Sequence, residues 1–189
     1  MTSIESLKEI RKICIIGSAG SGKSTLAIRL AAWSGLPVIH LDKHYWKPGW
    51  VATPSDEWDQ KIESFIKEER WILDGNYSRT LSNRVEKADL VVFLDVPRWV
   101  CLFRVLKRRV RYHKKNRDDM AFGCIEKIDF EFLRWIWNFP RKNKPRLLAT
   151  MARFPNKMFV RLRTSKEMRL FQKRFERLYN NKEGAFLYD

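Results

Sequence analysis

Apolar residues along this chain fall into five short runs separated by longer amphipathic stretches. Ile13 to Ile16, "PVIHLD" (37–42), "RWILD" (70–74), "ADLVVFLD" (88–95) and "KMFVRL" (157–162) are short, rich in β-branched and aromatic residues, and flanked by polar or turn residues. That pattern predicts buried strands of a parallel sheet. Between them the apolar positions recur at helical spacing. One helix opens at Thr53-Pro54-Ser55-Asp56-Glu57, with Thr53 as its cap and acids offsetting the dipole, and lines up Trp58, Ile62, Phe65 and Ile66. A second follows Asp95-Val96-Pro97 and gathers Trp99, Leu102, Phe103, Leu106 and Val110 on one face, an amphipathic stripe of the kind that faces a core. Phe132, Trp135, Ile136 and Phe139 read as the buried face of a third. The last starts with Thr164-x-x-Glu167, a capping box, and buries Met168, Phe171, Phe175 and Leu178. Residues from about Asn180 are expected to fray. Strands alternating with helices give an α/β chain with a mostly parallel sheet.

Composition narrows the picture. A chain of 189 residues with 44% apolar content suits one domain with a sizeable core. The N-terminal MTSIESLKEIRK lacks the apolar region of a signal peptide. The most apolar stretch, "LVVFLDVPRWVCLF", is interrupted by Asp95, Pro97 and Arg98, so no membrane partner is expected. Cys14, Cys101 and Cys124 form neither a CxxC pair nor an even disulfide set, and the cytoplasm is the expected compartment. Residues 1–95 carry 13 Lys/Arg and 13 Asp/Glu, whereas 96–189 carry 25 and 9, which supplies the whole net charge of +16. Such a basic half is either a solvated face, a means of handling polyphosphate, or a nucleic-acid surface.

The strongest chemical signal is "ICIIGSAGSGKST". Gly17 to Ser24 satisfies G-x-x-x-x-G-K-[ST] between a strand and a helix. Gly17, Gly20 and Gly22 let the backbone approach a ligand closely, and the amides around Ser21 and Thr25 converge on anionic oxygens. Lys23 is placed for the β- and γ-phosphates and the Ser24 hydroxyl for Mg²⁺, which makes ATP with magnesium the expected cofactor.

Three expected strands end in aspartate, where ligands of doubly wound sheets collect. Asp95 precedes Pro97 and reads as a helix-starting residue, whereas Asp74, before Gly75-Asn76-Tyr77, suits magnesium or its water.

Together the loop, "ILDGNYSRT" and "LDVPRWVCLFRVLKRRV" resemble the nucleoside monophosphate kinase group of P-loop proteins, adenylate kinase above all. The second segment is similar to D-G-F-P-R-T, through Asp74, Gly75, Arg79 and Thr80, and the third to a strand and lid-entry helix with R-x-x-x-R-R, here Arg104, Arg108 and Arg109. The resemblance implies a three-layer α/β/α P-loop domain spanning 1–189, with five strands in the order 2-3-1-4-5, an acceptor-side insert at about 43–69 and a basic lid at about 104–128. It also implies that Arg104 and Arg108 contact ATP phosphates and that Arg79 serves the acceptor side. Departures are clear: "HLDKHYW" stands where adenylate kinase has T-G-D-x-x-R, and 112–128 has neither a hairpin pattern nor a four-cysteine zinc set. From about residue 12 to 175 the chain is similar to a narrower bacterial group, the DNA topology modulation proteins. They share H-L-D-x-x-Y-W-K-P-G-W, D-G-N-Y, the basic helix and F-L-R-W-I-W-x-F.

"HLDKHYWKPGW" (40–50) leaves the second strand on the acceptor side of such a fold. Asp42 suits a general base for an acceptor hydroxyl, and kinases of the shikimate and gluconate type also place an Asp near there. A phosphate acceptor needs arginine instead, from Arg79 or Arg84. Tyr45, Trp46 and Trp50 offer stacking surfaces, and Lys43 or Lys47 a positive charge. The alternative is a packed aromatic lid with Asp42 capping a nearby amide. His40 and His44 lie four apart but in no zinc-binding frame. The sequence therefore supports a kinase acting on a small-molecule acceptor, with a nucleic-acid-associated ATPase as rival and a nucleotide-binding protein without transfer as a third possibility. Residues 98–117, with nine Lys/Arg and no acid, are the main feature in favour of nucleic acid.

Overall fold

The computed structural model describes residues 10–112, 119–124 and 128–183. Residues 1–9, parts of the expected lid and the expected fraying tail beyond 183 lie outside them. In chain order the elements begin β1 (Lys12–Gly17), α1 (Lys23–Ser34), β2 (Val38–His40), α2 (Leu41–Tyr45), β3 (Trp46–Lys47), β4 (Val51–Ala52) and α3 (Ser55–Lys67). They continue with β5 (Trp71–Asp74), α4 (Leu81–Lys87), β6 (Leu90–Leu94), α5 (Arg98–Arg111), α6 (Phe130–Ala152), β7 (Met158–Leu162) and α7 (Ser165–Glu183).

Five strands form one parallel sheet in the order β2-β5-β1-β6-β7. Counting only these five in chain order, this is 2-3-1-4-5, as expected. The small β3–β4 pair is an antiparallel ribbon apart from the sheet. Alternation along β1 settles the layers. Ile13 and Ile15 face one cluster with Ile72, Val92, Leu26 and Leu30, while Cys14 and Ile16 face another with Leu73, Phe93, Trp58 and Ile62. Helices α1 and α7 therefore cover one face, and α3, α4 and α6 the other. Each fully buried aliphatic contributes about 1.5–3 kcal/mol, so a one-residue slip of β1, which would exchange both sets, is strongly disfavoured. Leu26, Ala27 and Leu30 bury α1, and Phe175 with Leu178 buries α7.

Four local expectations are corrected. The second strand stops at His40, and Asp42 lies in the first turn of α2 instead of at a strand tip. Thr53 does not cap α3; its buried hydroxyl donates to the Tyr45 carbonyl at 2.5 Å, which ties the 43–69 segment back on itself. Asp95 does not cap α5 either. Its carboxylate accepts from Arg161 (2.5 Å) and Lys144 (2.8 Å), because two cations outbid a helix amide for a partly buried carboxylate.

The fourth concerns α5. Cys101 and Val105 are its buried residues, with Ile136 of α6, while Trp99, Phe103, Leu106 and Val110 point to solvent. The helix is turned so that Cys101, Val105 and the neighbouring Arg104, not the longer apolar stripe, face the rest of the protein. At α7 the capping box is present in altered form: Thr164 accepts from the Glu167 amide at 3.1 Å, and Glu167 reaches back to the Arg163 amide at 2.6 Å.

Candidate functional site

The Gly17–Ser24 loop joins the C-terminal end of the central strand to the start of α1. Ser21 N–H closes a turn on the Ser18 carbonyl at 3.1 Å, and Gly22, with φ 101°, leads into the helix. The amides that follow have no earlier helical carbonyl to meet, which leaves an anion-binding end at the mouth of the sheet. Lys23 folds over this loop, its Nζ donating to the Ser18 carbonyl at 3.2 Å. Ser24 is partly exposed beside it and Thr25 is exposed.

Helix α5 presses on the loop from one side. Gly20 has φ 77°, and a Cβ there would run into the Cys101 carbonyl, so the glycine is required by both conformation and space. From the next turn Arg104 donates to the Ser21 carbonyl at 3.1 Å. Arg108 stands one further turn along the same side, partly buried. The structure thus brings Lys23, Arg104 and the loop together, with Arg108 in line behind Arg104.

The turn after β5 presses from the other side. His40 and Asp74 are register partners on neighbouring strands, and Asp74 also lies opposite Ile15 of β1. His40 Nδ1 is 2.8 Å from Asp74 Oδ2. The other oxygen, Oδ1, is buried with no hydrogen-bond partner among the described residues. An orphaned carboxylate oxygen is costly unless something occupies its lone pairs, and a hydrated divalent cation does so. The orphaned Asp74 oxygen fits such a cation. His44 instead packs on Phe65, ring centres 4.9 Å apart, so the two histidines do not converge.

Next in the chain, Asn76 Oδ1 accepts from the Gly17 amide at 3.0 Å, and the Tyr77 hydroxyl donates to Asp42 Oδ1 at 2.7 Å. Burial first, then the adjoining Asp42 charge, pushes the Tyr77 hydroxyl well above its ordinary value, so it remains a donor. The turn is held from below by Arg84, which is fully buried. Its guanidinium donates to the carbonyls of Gly75 (2.9 Å), Asn76 and Tyr77 (2.9 Å), and to Cys14 Sγ. Burial lowers the Arg84 pKa and raises that of the Cys14 thiol. At Gly75, φ 153° and a built Cβ 2.8 Å from Leu41 Cβ show how tightly α2 lies on this turn.

Other expected acceptor-side groups are engaged elsewhere. Arg79 is exposed and makes a forked pair with Asp59 of α3 at 2.7–3.1 Å. Lys47 pairs with Glu57 at 2.9 Å. Tyr45 packs against Tyr77 (4.6 Å), Trp58 (5.0 Å) and Trp46 (4.9 Å), and Trp46 against Trp50 (5.5 Å), so the aromatics of 40–50 form a wall of mutually packed rings. Asn76, Tyr77, Arg84 and His40 in its pairing with Asp74 are the contacts that sequence reasoning missed. The D-G-N-Y turn was a visible motif, but its partners come from β1, α2 and α4.

No protein-family model matches the sequence, and no curated protein matches it. Solved structures do. A shikimate kinase from Acinetobacter baumannii, with shikimate, superposes with a TM-score of 0.51 at 15% identity over 98% of this chain and 97% of that one. That likeness places the chain in the fold of the P-loop kinases. A deoxyadenosine kinase from M. mycoides (TM-score 0.49, 15% identity, 92% of this chain, 99% of that) and a gluconokinase from Sinorhizobium meliloti (0.49, 16%, 95% and 98%) are further neighbours.

Proposed function

We propose that the protein is a magnesium- and ATP-dependent phosphotransferase whose acceptor is the hydroxyl group of a small molecule. The observation that carries this reading is the Asp74–Tyr77 turn, which bonds the nucleotide loop through Asn76–Gly17 and the Asp42 carboxylate through Tyr77. A carboxylate is thereby fixed to the same short segment that fixes the loop.

Roles follow from the chemistry. The Gly17–Thr25 backbone, through Gly20, Ser21 and Gly22, would cradle phosphates, while Ser24 and Asp74 would hold magnesium. Bound magnesium and ATP supply the transferable phosphoryl group and neutralise charge on its oxygens. Lys23 and Arg104, with Arg108 behind, provide the positive field for charge that spreads onto those oxygens. Asp42 takes the proton of the acceptor hydroxyl, and Tyr77 orients that carboxylate. Tyr45 and Trp46 wall the acceptor side. Among the described residues both candidate phosphate-binding arginines are committed, Arg79 to Asp59 and Arg84 to the turn, so an alcohol fits better than a nucleoside monophosphate. Arg79 acts here as a brace for α3.

ADP release from magnesium-ATP, measured with nucleosides, sugar acids, shikimate-type alcohols and nucleoside monophosphates, tests the reading. A rate that jumps with one alcohol class supports it. A rate that is flat with every small acceptor but rises with DNA would replace it by a nucleic-acid-associated ATPase, the activity implied by the resemblance to the DNA topology modulation proteins.

A further inference from the structure

The inverted setting of α5 leaves an apolar line on the outside of the protein. Trp99, Phe103, Leu106 and Val110 are 60%, 67%, 51% and 79% exposed. Their 4-3-4 spacing puts them on one side of the helix, away from the buried Cys101 and Val105. Helix α6, packed beside α5, adds Trp137, edge-on to Trp99 at 4.8 Å, and Phe130, 77% exposed and seven residues earlier on the same side. The Arg98 guanidinium lies 4.0 Å from the Trp137 ring centre and 5.0 Å from that of Trp99. A full aromatic side chain offers about 150–250 Å². Six side chains exposed to this degree exceed the few hundred Å² at which an apolar patch marks an interaction site.

Charge identifies the occupant. Helix α5 carries six Lys/Arg and no acid, and α6 carries five with Glu131 as its one acid. A second copy of this face would set like charges against like. A nucleic acid would meet the cations but leave Phe103, Leu106 and Val110 without an apolar partner. An anionic bilayer satisfies both: acyl chains take the apolar line, headgroups take Lys107, Arg134 and Arg141 at its flanks, and tryptophans sit at the boundary. No helix among the described residues is long and apolar enough to cross a membrane. Lying on one needs only an amphipathic face.

We propose that α5 and α6 form a docking face for an anionic lipid bilayer, with α5 in the plane of the interface. This departs from the expectation of no membrane partner, because the sequence pattern alone turns the apolar stripe inward. The opposite side of α5 holds Arg104 on the Ser21 carbonyl, so docking leaves the nucleotide loop uncovered.

Flotation of the full chain with phosphatidylcholine vesicles, with and without phosphatidylglycerol, tests this at near-physiological salt. The expected result is flotation with the anionic vesicles alone and quenching of tryptophan fluorescence by brominated acyl chains. A Phe103→Ser, Leu106→Ser double variant, and separately Val110→Glu, should weaken partitioning by about tenfold or more for the double change, with circular dichroism and melting unchanged. Absence of flotation overturns the proposal. So does binding without quenching that both variants retain, which would be charge attraction alone. A wild-type dimer in light scattering that Phe103→Ser, Leu106→Ser abolishes would assign the face to a second copy. Single-stranded DNA binding lost in the same variants, without vesicle binding, would assign it to nucleic acid.

Discussion

Arg84 donates to the Tyr77 carbonyl at 2.9 Å from a position with no solvent exposure, and Tyr77 in turn donates to Asp42. A guanidinium buried under a turn, with carbonyls as its main partners, is a positioning device, since its forked geometry matches three successive oxygens. Tyr77 itself has φ 29°, a left-handed backbone that a tyrosine avoids unless its surroundings impose it.

Replacing that fork should therefore cost stability first. Arg84→Met removes a donor from the carbonyls of Gly75, Asn76 and Tyr77, of which Tyr77 keeps the Thr80 amide at 3.2 Å, and a loss of about 2 kcal/mol is expected. Arg84→Lys keeps a charge but reaches fewer of these oxygens, so a smaller loss is expected. Urea unfolding compares them. If Arg84→Met unfolds at the wild-type midpoint, the clamp is not holding the turn.

On the proposed reading, variants of Asp42 and Tyr77 separate chemistry from nucleotide binding. Asp42→Asn should lower acceptor-dependent ADP release by about 10²-fold or more, the usual worth of a positioned base. It should leave the rise in melting temperature caused by magnesium-ATP unchanged, because the loop is untouched. Tyr77→Phe should cause a smaller loss of the same kind. An Asp42→Asn variant with full turnover would remove the base assignment.

Gly20 reports on the contact between the Gly17–Ser24 loop and α5. Gly20→Ala places a methyl against the Cys101 carbonyl at a backbone angle of φ 77°. A destabilisation of about 2 kcal/mol is expected from the strained conformation and the displaced helix together. Magnesium-ATP should also raise the melting temperature less than in the wild type, since Arg104 moves with α5. Unchanged melting with and without nucleotide would show that the helix yields freely.

How much of this was legible in the residues differs from element to element. The five strands and the loop could be read because β-branched runs and a spaced glycine-lysine signature are local properties. The layer order could be read through the family resemblance. What resisted reading depends on partners distant in sequence. Nothing near Asp95 announces Arg161 and Lys144, and nothing near Asn76 announces the Gly17 amide. Periodicity finds the amphipathic face of α5 but carries no sign of which side meets the protein. In the fold that side is the one with Cys101 and Val105 packed on Ile136 and Arg104 on the Ser21 carbonyl.

Asp95 makes a pH-dependent contribution whose sign can be worked out. Burial alone would raise its pKa, but hydrogen bonds and charge from Lys144 and Arg161 outweigh this and hold it below the ordinary 3.8. The unfolded chain therefore takes up this proton before the folded one as acid is added. The contribution is present in full above the ordinary value and is lost as pH falls through the lower folded value. Asp95→Asn keeps the shape of the side chain and removes the charge. The stability gap between wild type and Asp95→Asn, measured by urea unfolding, should thus be largest near neutral pH and shrink as the pH falls below about 4. A gap that stays constant to the acid limit would mean that Asp95 serves Arg161 and Lys144 as a neutral hydrogen-bond acceptor, not as an ion partner.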